Sequence, residues 1–447
     1  MHSHPAFTMK TSTPGKHHWA IGTYIDLILA AVGMQIVFFI TTVWVGTVGT
    51  EFYNLNLEEI RYTLRIQMGL GWMMCIIAGL GFSTLPFIYD VPTFEKSVMR
   101  TYVAMNIFGQ LAIMIGIMSG NLSIYHTLAT IGITLLCTSL ISLGPAAMTI
   151  FKSKKMVGDK LGPFSYSVGA MLPFLGIITL ICWVARDKFS EVLDFSESLI
   201  LDFFIPLVLV TIIISHFNRR LDWNLIEPKN IGKVFGVYTI LLLLLIIGGP
   251  LSERGDISIR LAAVLHFLPY LFIFIMMNPK KLLSFIKQRK PCNKMVLTAM
   301  LWIPFAGFAA YMEIMGYVKT TNAMISYYRW IMIFGIATQA LWGFAIYLHE
   351  DHKKLSIHRR KTKWLIYSTI NLATIITFYS MIISWTEGEA VDLYPRIAIA
   401  IYALSYILIF IYWIKEVFFS LGDWYKTPMF YDQYLAYPNQ GSGFEPE

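Results

Sequence analysis

A chain of 447 residues that is 56% hydrophobic and 15% aromatic, with only 14% charged residues and a mean hydropathy of +0.60, is too apolar for a water-soluble protein. Soluble domains carry about a quarter charged residues, so composition points to a chain that crosses a membrane repeatedly. The net charge of +8 would suit a nucleic-acid binder, but the Lys and Arg residues lie in short connectors facing an anionic leaflet. The lipid bilayer, and no nucleic acid, is therefore the expected partner.

Taken in order, the chain opens with a polar tail, residues 1–19, containing His2, His4, His17 and His18. It has no small-residue cleavage site behind a short apolar core, so the first long apolar run is expected to be retained as a span. A helix needs about 20 apolar residues to cross the hydrocarbon layer. Twelve segments qualify, at 20–48, 66–89, 99–118, 123–150, 165–185, 198–216, 233–250, 259–277, 296–317, 327–348, 364–385 and 394–414. The expected fold class is all-α: a polytopic bundle of about twelve transmembrane helices over 20–414, followed by a tail at 415–447. The connections leave no room for a soluble domain.

Charge sets the orientation. With the N-terminus inside and strict alternation, only nine of the 35 Lys and Arg fall outside: Arg61, Arg65, Arg186, Lys188, Arg254, Arg260, Lys319, Arg329 and Arg396. Cation excess in short loops marks the cytoplasmic side, which predicts an N-in/C-in protein. The plasma (inner) membrane is taken as its location, a choice that the charge count does not make. Four of the even-numbered segments begin with an arginine from the outer side: Arg65, Arg260, Arg329 and Arg396. Arginine is costly in lipid and calls for a partner. The outer loops offer Glu58, Glu59, Glu253, Asp256, Glu387, Glu389 and Asp392. Two readings stay open: interfacial arginines paired with those acids, or an outward vestibule for an anion or a propionate-bearing cofactor.

Chemistry-bearing residues inside the segments are few. His126 lies about one turn into the fourth segment and His266 about two turns into the eighth. Each is a candidate ligand for haem or copper, a proton relay, or a plain hydrogen-bonding imidazole. Pro269, one turn after His266, lacks an N–H and leaves a backbone carbonyl free nearby. Asp202 in the sixth segment and Glu313 at the end of the ninth need protonation or a cation, and Arg329 is the expected partner of Glu313. Methionines, among them Met68, Met73, Met74, Met114 and Met118, read as packing rather than copper ligands. Cys75, Cys137, Cys182 and Cys292 form no C-x-x-C pair and predict buried thiols. Gly132 and Gly335 permit close helix approach. No Walker A, H-E-x-x-H or G-x-S-x-G sequence occurs, which removes ATP-driven transport and intramembrane zinc proteolysis from the leading readings.

In the second segment, Arg65-Ile-Gln67-Met-Gly-Leu-Gly71-Trp72, ending at Pro86, resembles the second helix of haem–copper oxidase catalytic-subunit-like proteins. The resemblance implies a twelve-helix scaffold, built of helix pairs with ligands in their outer halves, in a respiratory or redox membrane complex with other subunits as partners. It also implies histidines where this chain has Arg65 and Gln67. The tenth segment starts Tyr-Tyr-Arg329-Trp without one, and no adjacent histidine pair appears in the sixth or seventh. Guanidinium keeps its proton and ligates no metal. Oxygen reduction by that family's mechanism is thus not expected, and the expectation leans away from an enzyme. The reading is a degenerate subunit, non-catalytic or holding a single haem or copper at His126 and His266, with Arg65 and Arg329 beside the cofactor. The alternatives are a proton-coupled secondary transporter of a small anion or metabolite, coupled through Asp202 or Glu313, and a purely structural subunit.

Overall fold

The computed structural model describes residues 14–48, 57–89, 96–144, 161–186, 191–215, 217, 225–227, 229–248, 256–279, 290–319, 326–353, 360–391 and 393–426. The KSKK run, most of the two long basic connectors, the end of the C-terminal tail, Pro145, His216 and the side chains of Asp26, Glu58, Glu253, His349 and Asp392 lie outside the described residues.

Everything regular in the described residues is helical, with no strand. Among the described residues, ten helices are long and apolar enough to cross a membrane, from Leu27–Val45 to Leu393–Lys415. Two more apolar stretches, Met171–Ala185 and Ile231–Ile247, belong to the helices Leu161–Ala185 and Ile231–Gly248. The protein is thus an all-α, multi-pass membrane protein. Its outward faces carry large apolar side chains such as Phe108, Phe174, Val184 and Ile257. Only lipid covers such faces without cost, since apolar surface in water is unfavourable by about 25 cal/mol per Å².

The chain divides into two compact units. The first comprises residues 1–200 and 410–447, the second residues 201–409. In the first, Pro14–Val48 packs on Met74–Tyr89 and Lys96–Met118, and Lys96–Met118 packs along Leu122–Ser142, which in turn meets Leu161–Ala185. The Lys96–Met118 and Leu122–Ser142 helices close to backbone contact: a Cβ on Gly132 would stand 2.6 Å from Gly109 O. Asn121 caps the return helix, its side-chain oxygen accepting from Ser123 N (3.0 Å) and Ile124 N (3.2 Å). In the second unit, Asp256–Met276 packs on Pro291–Ile314, which also meets Gln339–Lys353 and Arg360–Glu387.

Three rods differ from the rest. Residues 57–89, 191–215 and 327–353 each contain a wide π-helical stretch, at Gln67–Met73, Leu199–Phe204 and Ile331–Thr338. In the last, Thr338 Oγ1 donates to the carbonyl of Ile333, five residues back (2.7 Å). Over their most apolar portions these rods are 89, 83 and 100% buried, whereas the other long apolar helices reach 61% at most. π-Turns gather where a helix must re-aim side chains, so the functional residues were sought on these rods.

Candidate functional site

Two buried ion pairs stand out among the described residues, one within each unit, and both carboxylates come from the rod 191–215. In the first unit, Arg65 Nη1 donates to both oxygens of Glu197 (2.7 and 2.6 Å), and the Glu197 side chain is 3% exposed. Tyr62 and Ser196 extend the contact with a 2.7 Å hydrogen bond. Ser196 Oγ spends its own proton on Leu193 O, so Tyr62 is the donor. Tyr62 stacks on Trp183, whose other neighbour is the Arg186 guanidinium, 4.1 Å from the ring centroid. Arg65 is therefore no snorkelling interfacial cation, and its hydrogen-bonded acid belongs to a helix rather than to an outer loop.

In the second unit, Arg329 Nη2 lies 3.4 Å from Asp202 Oδ2, with side-chain exposures of 18% and 6%. The other Asp202 oxygen accepts from the Tyr328 hydroxyl at 3.1 Å. With that proton committed, Tyr328 accepts from Tyr270. The result is a chain Tyr270, Tyr328, Asp202, Arg329 in which every polar end has a partner. His266 stands within electrostatic range of Asp202 and Arg329, and its Nδ1 lies 2.8 Å from the Ala262 carbonyl. This is the carbonyl one turn back on its own helix, not the one that Pro269 leaves free.

Glu313 lies within electrostatic range of Arg329 and has a further job besides. One of its oxygens accepts from the backbone N–H of Tyr327 and, at 3.3 Å, of Tyr328. Together with Ser326, which accepts from Arg329 N (3.0 Å), it closes the N-terminus of the rod 327–353. Carboxylates are favoured there, because the first N–H groups of a helix have no partner within it. Arg329 makes its hydrogen-bonded ion pair with Asp202.

His126 is about one-third exposed, and its Nδ1 lies 3.7 Å from Glu59 Oε2. It belongs to the first unit and His266 to the second. The four arginines at segment starts are unequal too: Arg65 and Arg329 are mostly buried, whereas Arg260 and Arg396 are exposed. All four cysteines are buried thiols outside any disulfide.

The residues present do not fit the metal centre that the oxidase resemblance implies. On the helices where that family would place histidines, the donors are guanidinium, amide and phenol, already bonded to carboxylates or backbone. His266 keeps one ring nitrogen for a ligand. Among the described residues, no three His, Cys, Asp or Glu side chains come close enough to hold a metal ion.

Sequence reasoning missed Glu197 and a second polar group in the first unit. Gln67, Asn106 and Gln110 are fully buried amides around Gly71, where the backbone departs from helix (φ −81°, ψ −108°). No protein-family model and no curated protein matches this chain.

Proposed function

We propose that this protein is a non-catalytic subunit of a redox membrane complex, built on a scaffold resembling haem–copper oxidase-like subunits. It would cross the plasma membrane twelve times with both termini inside, ion pairs standing where metal ligands would be. One observation supports the reading: buried ion pairs, Arg65–Glu197 and Arg329–Asp202, join residues of the rods that carry the second, sixth and tenth apolar segments. Each pair is internally neutral, so the arginines hold these rods in register instead of binding a cofactor. A buried pair of this kind contributes little net stability over an apolar core, but removing one partner strands a charge. That is a device for specifying which rods pack together.

A second reading, a proton-coupled transporter, draws on the helix break at Gly71 and on the Tyr270–Tyr328–Asp202 chain, since transporters place sites at interrupted helices near the bilayer midplane.

Isolation from native membranes in mild detergent decides between them. The proposal expects co-migration with metal-bearing redox subunits on a native gel, and no haem or copper in the dissociated chain. A stoichiometric Soret band in the isolated chain, abolished by His266→Ala, would overturn the non-catalytic assignment. A chain that migrates alone and moves a solute in vesicles would favour the transporter.

A further inference from the structure

Two helices of the first unit face each other with polar residues at every fourth position: Gln67, Gly71 and Cys75 on one, Tyr102, Asn106 and Gln110 on the other. On the α-helix Lys96–Met118 spacing by four keeps Tyr102, Asn106 and Gln110 on one face, while the other three lie across the π-helical stretch Gln67–Met73, where the widened turns set the register. The two faces meet at several points. Gln67 Nε2 donates to Gln110 O (3.3 Å), and Asn106 Nδ2 donates to Leu70 O (3.0 Å) and Gly71 O (3.4 Å). Gln110 Nε2 donates to Asn106 Oδ1 at 2.6 Å. At the other end, Tyr102 lies within electrostatic range of Cys75. The five side chains of this seam are 0% exposed.

The donors fix which way each amide points, because every NH2 group has an acceptor. That leaves the Oε1 atoms of Gln67 and Gln110 as buried acceptors that receive nothing from the protein. The Tyr102 hydroxyl has Asn106 and Cys75 as side-chain hydrogen-bonding neighbours. A buried acceptor left unmet is costly, and two on one seam call for a donor. No carboxylate belongs to the seam, which disfavours a metal cation at this depth. Water supplies the donors.

We infer that this seam binds water inside the membrane-embedded first unit, with Gln67 and Gln110 as its protein ligands at the Gly71 break. Gly71 leaves room at the break: a Cβ there would stand 2.5 Å from the Gln110 side chain and push that amide aside.

Radiolytic hydroxyl labelling of the intact protein in nanodiscs tests this, since bound water generates the radical in place and sulfur side chains react with it most readily. Met68, Met73, Met74 and Cys75 lie on the rod that carries Gln67 and Gly71 and are at most 1% exposed; Met295 and Met300, both 0% exposed, are the controls in the second unit. The expected result is oxidation of the first set several-fold faster than the controls, with the excess lost in a Gln67→Leu/Gln110→Leu variant. Equal, slow labelling of both sets in the wild-type protein would overturn the inference, whether or not the variant folds. Fast labelling that persists in a folded variant would remove the two glutamines as ligands and overturn it also.

Discussion

The two buried ion pairs solve the same problem with different chemistry. Arg65 grips both oxygens of Glu197 within 2.7 Å, a closed contact that leaves that carboxylate little freedom. Asp202 is shared: one oxygen takes a longer 3.4 Å contact from Arg329, the other a phenol that is itself hydrogen-bonded to a second phenol. The first arrangement concentrates the stabilisation in a single charge-assisted contact. The second spreads it over a chain whose members can compensate for one another. Side-chain reach explains part of the difference, because glutamate extends one methylene further than aspartate.

The contrast predicts unequal damage. Glu197→Ala strands the Arg65 charge in a buried setting and is expected to cost about 3–5 kcal/mol, seen as the largest drop in thermal unfolding midpoint by fluorescence-detected size exclusion. Asp202→Asn keeps an acceptor for Tyr328 and is expected to cost less, about 1–3 kcal/mol. If the two variants lose equal stability, the shared network gives no compensation and the contrast fails.

A smaller effect separates the π-stretches themselves. A methyl at Gly335 would meet Thr374 Cγ2 at 2.9 Å and the Trp302 ring at 3.0 Å, and an indole cannot step aside easily. A methyl at Gly71 meets only the Gln110 side chain, which can swing. Gly335→Ala is therefore expected to destabilise by about 1–3 kcal/mol and Gly71→Ala by less, measured on the same thermal scale. The opposite order would mean that the Gln110 amide is held more rigidly than its hydrogen bonds imply.

Parts of this were readable from the amino-acid order. Asp202 and Glu313 stand out because a carboxylate in an apolar run is expensive, and the need of Arg65 and Arg329 for acidic partners follows from the same cost. Which acid answers which arginine was not readable. Glu197 sits in the stretch Glu-Val-Leu-Asp-Phe-Ser-Glu-Ser, polar enough to pass for loop, and helical structure already begins at Glu191. Nor was the capping role of Glu313 readable: the Arg329 charge lies within its electrostatic range, but the rod 327–353 also needed its first amides capped, and the carboxylate of Glu313 reached them. The amide seam had a signal, the four-residue spacing of Tyr102, Asn106 and Gln110. It shows only beside the matching spacing of Gln67, Gly71 and Cys75, and nothing local says that those two faces meet.

What the amino-acid order determined alone was the class of molecule: runs of apolar residues long enough for lipid make helices, because a backbone in hydrocarbon must satisfy its own hydrogen bonds. The tertiary structure decided the rest: which three rods are buried, where their helices widen, and which charges meet. Those outcomes depend on contacts between residues more than a hundred positions apart, such as Arg65 with Glu197 and Arg329 with Asp202. Helical periodicity carries no information about partners at that distance.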